Sequence, residues 1–110
     1  MIDETLRKIE ASVQSSGSIS DERKQELLGL LEQLKAEVTS LPECNQEEAR
    51  SIAAFADISA REATRSKKNP ELLDLSLKGL SSSVSGFEKS HPQLVQVVNT
   101  ISHTLSNLGI

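Results

Sequence analysis

Residues 46–68, QEEARSIAAFADISAREATRSKK, decide the fold. Alanine stands at 49, 53, 56, 60 and 63, in steps of four and three, so all five share one stripe of an α-helix. Ile52, Phe55 and Ile58 add bulk beside that stripe. Small seam residues let helix backbones approach closely and gain dense dispersion contact, while removing little apolar area per residue. Asn45, followed three residues later by Glu48, resembles a capping box at the start. Arg65, Lys67 and Lys68 place positive charge at the end, where a helix C-terminus favours it. The expected helix spans 46–68.

The same rhythm continues upstream. Ile2, Leu6, Ile9 and Val13 mark a helix over 2–15 that fades into Ser15-Ser16-Gly17-Ser18. Ser20 before Asp21-Glu22 supplies an N-cap and acidic first-turn residues. Leu27, Leu31, Leu34, Val38 and Leu41 carry the next stripe over 21–41, and Pro42 ends it.

Downstream, Asn69-Pro70-Glu71 is an N-cap, an N1 proline and an acidic residue in order. It opens a helix expected over 70–89, with Leu73, Leu77, Leu80, Val84 and Phe87 as its stripe. Gly79, Gly86 and Ser81-Ser82-Ser83 weaken its propensity, so packing must hold it. Ser90 is the expected cap of a last helix over 92–108, with Pro92 in its first turn. That helix carries Leu94, Val98, Ile101, Leu105 and Leu108, and Gly109 suits the position that closes it. Five amphipathic helices on short connections make an all-α, mostly antiparallel bundle. One domain over 1–110 is expected, built from a helical hairpin (1–41), the alanine-rich helix (45–68) and a C-terminal pair (70–110).

Composition agrees with that class. The 110 residues include two Phe and no Trp or Tyr, a poor vocabulary for a β-sandwich. Net charge is −4, which disfavours general nucleic-acid binding. It is unevenly spread: residues 1–57 hold six basic and twelve acidic side chains, and residues 58–110 six and four. Residues 90–110 contain no Lys, Arg, Asp or Glu. A single cysteine, Cys44, allows no internal disulfide, and no signal peptide or membrane span is evident. A cytoplasmic protein is expected.

The segments Leu72-Leu73, Gly86-Phe87-Glu88-Lys89-Ser90-His91-Pro92-Gln93-Leu94 and Leu105-Ser106-Asn107-Leu108-Gly109-Ile110 resemble the C-terminal signature of the bacterial domain of unknown function 4404 family. The resemblance covers mainly residues 72–110. It implies a small bacterial helical protein and brings no activity, cofactor or catalytic residue.

No constellation for catalysis stands out. Ser90 and His91 are adjacent, so their side chains diverge at a helix start, and no third group orients a base. His103 falls opposite the last helix's apolar stripe. One thiol and two distant histidines assemble no zinc set, and Glu43, Glu47 and Glu48 read as helix-dipole partners. Cys44 reads as an inert loop cysteine. No enzyme, cofactor or metal is expected.

Two features point to protein contact. Ala49, Ala53, Ala56, Ala60 and Ala63 suit close helix pairing. Leu94, Val98, Ile101 and Leu105 form a clean stripe opposite an uncharged face that a second chain or a partner would cover. The expected function is a non-enzymatic interaction or structural module acting as a homodimer. The alternatives are an adaptor that accepts a partner helix and, behind it, a binder of anionic surfaces or nucleic acid through Arg61, Arg65, Lys67 and Lys68.

Overall fold

Helix positions follow from capping chemistry that the chain spells out locally. The computed structural model describes residues 2–17 and 19–108, with side chains from Glu4 onward. Five helices run α1 (Ile2–Ser15), α2 (Asp21–Thr39), α3 (Gln46–Thr64), α4 (Pro70–Ser83) and α5 (Pro92–Leu108). A 3₁₀ turn, Glu43–Asn45, leads into α3. Among the described residues there is no strand. Ser20 Oγ accepts from the Arg23 N–H at 3.3 Å and caps α2. Asn69 Oδ1 accepts from the Leu72 N–H at 3.2 Å, with Pro70 at N1 of α4. The expected closing role of Gly109 and the Ile2 side chain lie outside what is described.

Three helices end earlier than the sequence suggests. α2 stops at Thr39, two residues short, because Pro42 bars its predecessor from helical backbone. Thr39 and Ser40 hydroxyls then take the Lys35 and Glu37 carbonyls. α3 stops at Thr64, where Arg65 turns extended so that the chain can fold back into α4. The Lys68 ammonium donates to the Ala63 carbonyl left open at that end.

The largest correction is to α4, expected to reach residue 89 and ending at Ser83. Successive turns carry the chain through Val84, Ser85 and Phe87, and Gly86 adopts φ +99°, a conformation that favours glycine. Val84 and Phe87 are nonetheless buried, so the apolar pattern reports burial where the helix has gone. Two caps also differ. Asn45 makes no side-chain cap bond, since its own N–H closes the 3₁₀ turn on Pro42 O at 2.9 Å. Ser90 lies one residue too early: with Pro92 first in α5, the cap position is His91, whose carbonyl accepts from the Val95 N–H.

Packing arranges four helices in a closed ring. α1 packs on α2, α2 on α5, α5 on α3 and α3 on α1. α4 sits outside the ring against both α3 and α5. Helix α3 therefore meets three neighbours, and its most extensive contacts are with α4 and α1. The core draws on every helix: Leu6, Ile9, Leu27, Leu31, Leu34, Ile52, Leu80, Leu94, Ile101 and Leu105 are all fully enclosed. The long axis of the molecule is 38 Å, room for 19-residue helices that are about 28 Å long.

Helices α3 and α4 approach closely at Gly79. A Cβ there would overlap the ring of Phe55, which lies directly on the glycine. Gly79→Ala should therefore lower stability by about 1 kcal/mol, overpacking outweighing the helix-propensity gain. In a Phe55→Leu background the same change should become neutral or stabilising. Urea melts of the four proteins, followed by circular dichroism, check that double-mutant cycle.

Candidate functional site

The alanine seam is consumed inside one chain. Ala49, Ala53, Ala56, Ala60 and Ala63 are all buried, as is Ser59 within the same face. The α5 stripe, Leu94, Val98, Ile101 and Leu105, is equally enclosed. Both sets pack in the common core, apart from Ala53, which is buried beside it. Any second chain must use other surface.

That other surface has two parts. The first is an edge where Ile58 of α3 (46% exposed) and Leu72 and Leu75 of α4 (43% and 63%) face solvent. Leucines at 72, 73 and 75 cannot all point inward on one helix, and Leu73 takes the core position. Phe55 on Gly79 sets the level of α3 against α4 and so places Ile58, one turn from Phe55, at the level of this pair. Ion pairs flank the edge: Arg61 to Asp57 at 3.0 Å, Arg65 to Glu62 at 2.7 Å and Lys78 to Asp74 at 3.1 Å. Each joins residues three or four apart in sequence.

The second part is the outward face of α5. Pro92, Val95, Gln96, Asn99, Thr100 and His103 line an open groove of about 520 Å³ with Glu88 at its end. Its polar groups are partly occupied. Thr100 Oγ1 donates to the Gln96 carbonyl at 2.9 Å, and Glu88 Oε2 accepts from the Gly86 N–H at 2.8 Å.

The His91 ring meets the Phe87 ring edge-on, with centroids 5.5 Å apart. Ser90 is exposed. The exposed Cys44 thiol donates weakly to Asn45 Oδ1 at 3.7 Å. Among the described residues, no three His, Cys, Asp or Glu side chains stand close enough to hold a metal ion. Of the basic residues near the end of α3, Arg61 and Arg65 are spent on neighbouring carboxylates and Lys68 on a helix end. Lys67 stands exposed.

Two polar sites escaped the sequence reading because both depend on tertiary neighbours. Glu10 of α1 meets Glu32 of α2, and burial, aided by the Glu32 charge and a side-chain hydrogen bond to it, raises the Glu10 carboxyl above its ordinary range. Lys35 and Arg7 oppose that rise. Thr104 Oγ1 of α5 lies 3.5 Å from Glu26 Oε1 of α2, a weak polar link between those helices.

The chain belongs to the family described as domain of unknown function DUF4404, whose model matches residues 27–110. No curated protein and no solved structure matches it. The match begins inside α2, so α1 lies wholly outside it. No helix of the described residues is long and apolar enough to cross a membrane.

One buried hydroxyl gives a direct test of how dry the seam is. Ser59 Oγ has no hydrogen-bond partner. Ser59→Ala should raise stability by about 0.5–2 kcal/mol, since it removes an unpaired polar group and improves helix propensity. A thermal melt of the variant reads the gain.

Proposed function

We propose that this DUF4404 protein is a non-enzymatic helical module that works through protein contacts as a homodimer. The observation that carries the reading is the exposed edge of Ile58, Leu72 and Leu75, where the other large apolar side chains among the described residues are at least partly enclosed. Apolar side chains grouped on a surface mark contact sites more often than isolated ones do. The rim favours a second copy, because three of its charge pairs are already matched within each chain, which reduces repulsion between two such edges.

Such a contact is small. A stable interface covers roughly 800 Å² on each partner, far more than three partly exposed side chains supply. The dimer is therefore weak and concentration-dependent, with added contact from the surrounding helix surfaces. The adaptor reading rests on the α5 groove, which could receive a partner helix along its uncharged face. The anionic-surface reading has less support, since Arg61, Arg65 and Lys68 are engaged locally. A bacterial cytoplasm suits the family resemblance and the lone free thiol.

Light scattering over a concentration series tests the dimer. The mass should climb from 11.9 kDa toward twice that value, and Leu75→Glu should hold it at the lower value with the helical spectrum intact. A parent that stays monomeric at every concentration overturns the dimer. So does a Leu75→Glu protein that associates like the parent.

A further inference from the structure

Helix α4 packs on α3 and α5 from outside the ring, and the side chains it buries are Leu73, Ser76 and Leu80. Glu71, Leu75, Lys78 and Ser82 follow one another in steps of four, three and four, so they form a single stripe along the helix. All four are exposed. Leu72 stands seven residues before Gly79, hence on the side of α4 turned toward Phe55 of α3, and widens the apolar centre of the stripe there.

Charge on this stripe has a direction. Glu71 lies one turn before Leu75 and Lys78 one turn after it. When two copies of α4 cross antiparallel at Leu75, Glu71 of each copy meets Lys78 of the other, their levels differing by about 1.5 Å. When two copies run parallel, Glu71 faces Glu71 and Lys78 faces Lys78, which sets like charges together on both sides of the leucine. The Lys78 ammonium already holds Asp74 of its own helix at 3.1 Å, and an ammonium with three donors serves a second carboxylate as well. The face is therefore complementary to itself in the antiparallel orientation.

We propose that the second copy docks on α4 through α4, antiparallel and two-fold symmetric about Leu75, with reciprocal Glu71–Lys78 ion pairs fixing the orientation. This rests on the dimer reading above and adds the geometry of its contact. A two-fold contact uses the same patch on both copies and closes at two, so no chain of further copies grows from it. The ion pairs select the orientation, while Leu75 and Leu72, with Ile58 beside them, supply the apolar area.

Charge reversal on the full chain tests the orientation, with association followed at low salt by sedimentation with interference optics, since the chain lacks Trp and Tyr. Glu71→Lys and Lys78→Glu should each weaken the dimer severalfold, and the two together should restore it. Cysteine pairing in a Cys44→Ser background supplies a second readout, because the native thiol is exposed. Leu75→Cys should link to its own copy under mild oxidation. Leu72→Cys should link far more slowly, since its two copies stand about 9 Å apart along the helices, beyond the roughly 7 Å that a disulfide spans. Circular dichroism confirms that each variant keeps its helices. A parent that stays monomeric overturns both the dimer and its geometry. A parent dimer that neither reversal weakens, or that the double reversal fails to restore, overturns the antiparallel contact and leaves the dimer standing. So does a Leu72→Cys protein that links as fast as Leu75→Cys.

Discussion

Helix α3 has to touch α1, α4 and α5 at once, and a helix surrounded on three sides must present small side chains or hold its neighbours apart. The alanines at 49, 53, 56, 60 and 63 meet that demand. Each contributes little buried area, so cohesion comes from density of contact, and the leucine, isoleucine and valine stripes of the other helices supply most of the apolar surface removed from water. Gly79 extends the same solution to α4, where even one methyl group would collide with Phe55. Close approach at α3 is the condition on which the closed ring and the placement of α4 both depend.

That condition also decides what is left outside. Because the seam and the α5 stripe are sealed within one chain, neither is free for a partner. The remaining candidates are the Ile58, Leu72, Leu75 edge and the uncharged outer face of α5. Charge near the edge is neutralised locally by three short-range pairs, each exposed enough to add only about 0–1 kcal/mol to stability. Their relevance is to what can approach the edge, more than to holding the fold.

Most of the architecture was legible in the sequence. Steps of four and three located all five helices, and Ser20, Asn69 and Pro70 fixed two starts. Where the reading failed, a local signal was outranked by a neighbouring one. Val84 and Phe87 kept the apolar period while Gly86 reversed the chain between them, so burial and helix parted company after Ser83. Asn45 looked like a cap, yet its own N–H went into the 3₁₀ turn. The contact edge was harder to see. Ile58 looked like bulk beside the seam, and nothing in the spacing of 72, 73 and 75 says which leucine the core takes until α4 is docked. The Glu10–Glu32 contact needs two helices in register and has no signature within either.

Equilibrium urea unfolding of Ala56→Leu, followed by circular dichroism because the chain has neither Trp nor Tyr, tests the role of α3 most directly. Ala56 is enclosed in the core. Close packing around α3 predicts a loss of about 1–3 kcal/mol, read as a lower midpoint at an unchanged slope. A variant that unfolds at the parent's midpoint would contradict it.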